Sequence, residues 1–390
     1  MKKLLLIFAF SIGIFTTSAQ DDLVNKLKFN KTDNNKFQFT VTKNVENTDV
    51  KAQGSSGTCW SYSASSYLES EMMRMGKKPI DLAEIFTARN SYVERAKQYL
   101  LWNGLAGWGD GAELHDAMNS LKKYGMVPQE VYSGLQYGAV KNDFDEMQNV
   151  LKSMLDAMLK NPNGKLSPAN MKAFEASINA FLGETPKEFM FEGKKYTPQS
   201  FAKEVVGINP DDYVNLSSYL DYPYYTQFVL PVPDNWSKGL VYNVKMNELT
   251  EVMDYAISKG FSVAWATDVS EPYFSWKNGV AYVPNVDLDA IDKKNNTLFD
   301  ELMPDKTITE EMRQDALNNL LTTDDHGMHV VGFAKDQTGK DYYLVKNSWG
   351  KTNDFQGYLY VTKPYVQYKT TAILIHKDAI PQHIRKKLNL

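Results

Sequence analysis

One cysteine in 390 residues forbids any disulfide within the chain, so an apolar core must hold the fold without covalent help. The composition provides for one. Hydrophobic residues make up 43% of the sequence, a share that separates it from disordered and collagen-like chains. Length allows one large domain or two to three smaller modules. The net charge of −4 comes without a long basic run, which argues against a nucleic-acid groove or a polybasic membrane surface.

The first residues read as an export address. Lys2 and Lys3 form a positive n-region, Leu4 to Phe15 is an apolar run, and Thr17-Ser18-Ala19 offers small residues for cleavage before Gln20. The run is too short to span a bilayer comfortably. The expectation is a signal peptide at 1–19 and a soluble product, periplasmic or extracellular, without a membrane span after processing. In an oxidising compartment a lone thiol is either buried and inert or kept for its reactivity.

Periodicity orders the rest. A β-like stretch at Phe37–Thr42 precedes a long amphipathic helix carrying Trp60, Ala64, Tyr67, Leu68, Met72 and Met75, stopped at Gly76. Residues 80–125 read as further helices broken by the glycine-rich stretch 104–111. Met147 to Met158 and Met171 to Leu182 give two facing stripes joined by a turn at Asn163-Gly164, with Ser167 as cap and Pro168 at the first helical position. Their methionines fit core packing better than a soft binding groove. The Tyr- and Pro-rich residues 212–235 read as an extended loop. Asn247–Ser258 reads as a helix, Phe261–Thr267 as a strand, and Gly327–Ala334 with Tyr342–Lys346 as a hairpin. Strands at Gly357–Thr362 and Thr371–Ile375 follow, then a short basic helix at Pro381–Leu388. Helices first and antiparallel strands last make an α+β layout.

The chemistry gathers at Gln53-Gly54-Ser55-Ser56-Gly57-Thr58-Cys59-Trp60, which leads straight into the long helix. A cysteine in a first helical turn lies at the positive end of the helix dipole, which favours thiolate over thiol. A loop folded on its glycines returns the Gln53 carboxamide toward the thiol, giving an oxyanion two donors, the Gln53 amide and the Cys59 N–H. A thiolate needs an imidazole. His115 beside Glu113 and Asp116 reads as solvated or satisfied, and His376 and His383 sit in the charged tail. His326 and His329 remain, in Asp324-Asp325-His326-Gly327-Met328-His329. Strand positions three apart face opposite ways, so only one of the two meets the thiol, and a metal site shared by both is disfavoured. The second hairpin strand ends in Asn347-Ser348-Trp349-Gly350, where Asn347 can orient an imidazole and Trp349 can shield it.

Three blocks in this order, Gln-Gly-x-x-Gly-x-Cys-Trp, Asp-His-small with a following Val-Gly-aromatic, and Asn-Ser-Trp-Gly, resemble the papain-like cysteine peptidases. The resemblance implies a two-lobe fold, helical on one side and an antiparallel, barrel-like sheet on the other. It assigns Cys59 as nucleophile, His326 as base and acid, Asn347 as orienter and Gln53 as oxyanion donor. It sets Gly111, Ala112, Gly327 and Trp349 against a peptide substrate, and it requires no cofactor and no metal. Ser56 stands where secreted papain relatives carry a disulfide cysteine. The gap from Cys59 to His326 exceeds the ~130–150 residues usual in papain, which places a helical insertion at about 140–210. Both features resemble the bleomycin hydrolase (aminopeptidase C) branch, which implies aminopeptidase action and a homo-oligomer, a hexamer in that branch. Three features differ from the branch. They are the export leader, a single glycine at Gly111-Ala112 where papain relatives have two, and an end at Leu390 where the branch has an arm entering the cleft. The last motivates an endopeptidase or dipeptidyl-peptidase as alternative. A non-catalytic peptide-binding protein and acyl transfer to an amine are the readings from other classes.

Overall fold

The computed structural model describes residues 36–161, 164–286, 297–299 and 303–390. The expected leader, its cleavage site and Asn163 lie outside the described residues. Strand β1 (Phe39–Asn44) is followed by α1 (Cys59–Arg74), α2 (Glu84–Leu101) and α3 (Leu114–Tyr124). Next come α4 (Asp145–Leu159), α5 (Ala169–Leu182) and the small hairpin β2 (Phe189–Phe191) and β3 (Lys194–Tyr196). Then follow β4 (Tyr213–Ser217), β5 (Gln227–Val229), β6 (Leu240–Asn243), α6 (Met246–Ser258), β7 (Val263–Thr267), β8 (Phe274–Ser275), β9 (Val280–Ala281) and α7 (Glu310–Asn318). The last part holds β10 (His326–Asp336), β11 (Asp341–Lys346), β12 (Tyr358–Val361), α8 (Lys363–Lys369), β13 (Thr370–His376) and α9 (Gln382–Leu388).

One large sheet runs in the order β5-β6-β4-β13-β7-β10-β11-β12-β9-β8, with β1 paired to β10. Its centre is antiparallel, including the expected hairpin, while β4 with β6 and β9 with β12 pair in parallel. The period-2 alternation of the central strands separates two cores. Val263 and Trp265 of β7 and Ile373 and Ile375 of β13 pack in the sheet core with α6. Ala264, Ala266, Ala372 and Leu374 face the other way, into the helical core built on α1 to α5. Small residues on that second face let α1 lie close to the sheet. At Gly327 the approach is closest, since a Cβ there would stand 2.9 Å from Ser63 Oγ and 3.2 Å from the Trp60 Cα.

The stretch expected to be an extended loop at 212–235 contains β4 and β5. Tyr213, Val214, Leu216 and Ser217 are buried because β4 lies between β13 and β6. Both partners are distant in sequence, so composition alone reads the segment as a loop. At α5 the helix starts at Ala169 with Pro168 in the cap position, and Ser167 contributes its carbonyl to the Asn170 N–H instead of a side-chain cap. Among the described residues no helix is long and apolar enough to cross a membrane.

Candidate active site

Cys59 is the first residue of α1, and the loop before it is closed by its own hydrogen bonds. Ser56 Oγ donates to the Gln53 carbonyl at 2.8 Å and lies 2.6 Å from Thr58 Oγ1. These contacts close the loop at the position where secreted papain relatives place a disulfide. Gln53 is fixed at both ends of its carboxamide: Nε2 donates to the Ser56 carbonyl at 2.6 Å, and Oε1 accepts from Ser348 Oγ at 2.7 Å. An amide nitrogen carries two hydrogens, so one of them stays available for a further acceptor. The Gln53 N–H donates to the Ser348 carbonyl at 2.8 Å, and Ala52 bridges Trp349. The Cys59 loop and the Asn347-Ser348-Trp349 turn are therefore one unit.

His326 opens β10 opposite Thr267 and is buried at 3% exposure. Its Nε2 lies 2.7 Å from Asn347 Oδ1, and Trp349 covers the ring with centroids 4.6 Å apart. Nδ1 has no hydrogen-bond partner among the described residues. Cys59 and His326 line one cavity of about 30 Å³, together with Gly57, Trp60, Gly111, Ala112 and Gly327. Burial lowers His326 to about 4, against the opposing pull of the Asn347 bond, so the ring is neutral at neutral pH. With Nε2–H held by Asn347, Nδ1 is the basic nitrogen.

His329 lies on the opposite side of β10, as strand parity requires. Its Nδ1 lies 2.9 Å from Ser66 Oγ, which also accepts from Lys346 Nζ at 2.8 Å, and burial and the Lys346 charge hold it well below the ordinary histidine range. It does not line the Cys59 cavity. His115 is buried against Ser237 Oγ at 2.9 Å, a satisfied histidine of the helical lobe.

The Peptidase C1-like family profile matches residues 83–390, starting after the Cys59 loop. The chain belongs to the Peptidase C1-like family. Pairwise similarity extends over the loop as well. Cysteine proteinase 1, mitochondrial, of Saccharomyces cerevisiae (strain ATCC 204508 / S288c) is 22% identical over 95% of this chain and 83% of that protein. Aminopeptidase G of Lactobacillus delbrueckii subsp. lactis is 25% identical over 87% of this chain and 84% of that protein. Aminopeptidase C of Listeria monocytogenes is 22% identical over 96% and 91%. The crystal structure of PepW from Lactobacillus rhamnosis superposes with a TM-score of 0.69 at 20% identity, covering 90% of this chain and 84% of that one. The fold is the papain-like α+β fold.

Around this family's cleft the sequence reading missed several residues. Asn142 braces the Cys59 loop: its carbonyl accepts the Ser55 N–H at 2.9 Å, and its Nδ2 donates to the Gln53 carbonyl at 3.2 Å and to Tyr62 Oη at 2.9 Å. Gly54 can be only glycine there, because its φ is +66° and a Cβ would stand 2.5 Å from that carbonyl. Asp110 Oδ2 accepts the Gly57 N–H, and its carbonyl accepts Trp60 Nε1–H at 2.8 Å. Arg95 donates to the Gly107 and Gly111 carbonyls and pairs with Asp234 at 3.4 Å across Gly111. The cavity wall away from the sulfur is acidic, formed by Glu113, Asp234, Asp324 and Asp325. Only the glycine-rich signature of 104–111 and the Glu-x-x-Asp spacing of a helix cap hinted at this wall.

A second acidic group, Glu69, Asp81 and Glu84, has metal-ligand spacing. Lys51 Nζ occupies its centre, 3.2 Å from Glu69 and 2.6 Å from Glu84 and bonded to Asp81. The cluster is a charge-compensated strut between α1, α2 and the preceding loop.

Proposed function

We propose that this protein is a cysteine aminopeptidase acting on peptides through Cys59 and His326. The observation that carries the reading is the single cavity lined by both residues, with His326 Nε2 anchored on Asn347 and Nδ1 left as acceptor. Aminopeptidases C and G among the relatives support the exopeptidase class.

The thiol proton passes to His326 Nδ1, leaving a thiolate at the positive end of α1 and an imidazolium held by Asn347. Neither charge is stable alone in this buried setting, so each provides the other's counter-charge. The thiolate attacks the peptide carbonyl carbon, and the oxyanion receives hydrogen bonds from the second Gln53 Nε2–H and the Cys59 N–H. His326 returns its proton to the leaving nitrogen, the C–N bond breaks, and an acyl-enzyme remains. Water attacks that thioester, giving its proton to His326, and the thiol is restored as the acid leaves.

Labelling with an epoxide inhibitor of cysteine proteases, read by mass spectrometry on wild type and His326→Ala, tests the assignment. Modification of Cys59 in the wild type and its loss in the variant is the expected result. Equal labelling of both would remove His326 from its role. The leader read at 1–19 supports export, and a mature N-terminus at Gln20 is its test.

A further inference from the structure

The acidic wall of the Cys59 cavity is unevenly compensated. Asp234 pairs with Arg95, whose side chain is only 4% exposed. Asp325 accepts the Val269 N–H at 2.8 Å and the Ser270 N–H at 3.1 Å. Glu113 caps α3 by accepting the Asp116 N–H, and its carboxyl is within hydrogen-bonding reach of Asp324. Two carboxyls in such contact must share a proton. Among the described residues Asp324 Oδ2 is buried with no N–H or O–H donor other than what the shared proton supplies, and no lysine or arginine lines the cavity. The pair therefore offers a negative charge in the same cavity as Cys59, and among the described residues no lysine or arginine lines that cavity to meet it.

Covalent geometry fixes what an aminopeptidase must place there. In its substrate the free ammonium nitrogen is two bonds from the carbonyl under attack, about 2.5 Å away. The cavity of about 30 Å³ accommodates a group of water size beside the reacting carbon. The last residues of the chain do not compete for this position. Ile384 and Leu388 of α9 are buried in the sheet core, and Lys387 Nζ pairs with Glu248 at 2.7 Å.

We propose that Glu113 and Asp324 form the subsite that receives the substrate's α-ammonium group, which replaces their shared proton. Binding then transfers one proton to solvent and leaves two carboxylates around one ammonium. Burial and the Asp324 charge raise Glu113, and burial and the Asp234 charge bring Asp324 to about 7 against the lowering pull of its bond with Glu113, so that proton is present on the free enzyme below neutrality. Asp116, Asp234 with Arg95, Asp268, Asp325, Tyr219, Cys59 and His326 are the other titratable or charged groups facing the pair among the described residues.

The subsite rests on the aminopeptidase reading, and two measurements separate their failures. Glu113→Gln and Asp324→Asn are assayed on a fluorogenic leucyl amide and on its N-acetylated form. KM for the free amine should rise by about 10-fold or more in each variant, with the rate of Cys59 alkylation unchanged. Leucinamide binding to Cys59→Ala protein at pH 6 is then followed by calorimetry in buffers of different ionisation enthalpy. Release of close to one proton is expected, and none with Asp324→Asn added. Unchanged free-amine preference in both variants, or binding without proton release, would overturn the subsite. A wild type that cleaves neither substrate would overturn the peptidase reading, and the calorimetry would still decide the subsite.

Discussion

Gln53 and Asn347 show how little at the residue scale is left to chance in the active-site seam. Each carboxamide contacts a backbone or hydroxyl partner and, in the reading above, a reacting group. Gln53→Ala should lower kcat by roughly 10²–10³ with a small change in KM, because the donor acts on the oxyanion only. Asn347→Ala removes a buried bond worth about 1–3 kcal/mol, so kcat should fall roughly 5- to 150-fold while the rate of substrate binding holds. Steady-state kinetics on a free-amine substrate checks both, and a change confined to KM would sink either role. Cys59, His326 and Asn347 were legible in the sequence because a short motif encodes each one's local geometry. Glu113, Asp234 and Asp324 were not, since their meeting depends on three segments far apart in the chain.

At the scale of elements, the contact of α1 with the sheet decides where the sulfur lies relative to the imidazole. Gly327→Ala would press a methyl onto Ser63 Oγ and the Trp60 backbone, costing about 1–3 kcal/mol. It should also reduce Cys59 alkylation sharply by moving α1 from β10; full labelling at wild-type stability would contradict the close approach. Lys51 holds the start of α1's loop to α2. Lys51→Met strands the buried Glu69 and Glu84 and should destabilise the protein by about 3–5 kcal/mol in urea unfolding. Burial already raises Glu84 to about 7 despite Lys51. The helices and the β10–β11 hairpin were readable because their periodicities are local. Strands β4 and β5 were hidden because their partners are remote and their runs short.

The molecule as a whole consists of two cores meeting along β7, β10 and β13, and its response to acid is written into the histidines at that junction. His329 is held below its ordinary value, so the folded protein binds fewer protons than the unfolded chain as pH falls below ~6.5. Its contribution is present above that pH and lost below it. Glu84 and Asp324, both near 7, act in the opposite sense, losing stability as pH rises from ~4 to 7. His329→Gln removes only the first effect. The stability gap between wild type and variant should therefore narrow from pH 7 to pH 5 in denaturant titrations, and a constant gap would refute it. The α+β order of helices before strands was plain in the sequence, whereas the parallel pairings at the sheet margins emerge only from long-range packing. The junction has a practical side for protein engineering. Its fit depends on Gly327, Ala264 and Ala266, which have at most a methyl group to give up, so that face has little room for larger side chains. The opposite wall comes from a helix cap, a loop and a turn. Selectivity can be rewritten there, position by position, with the distance between sulfur and imidazole left untouched.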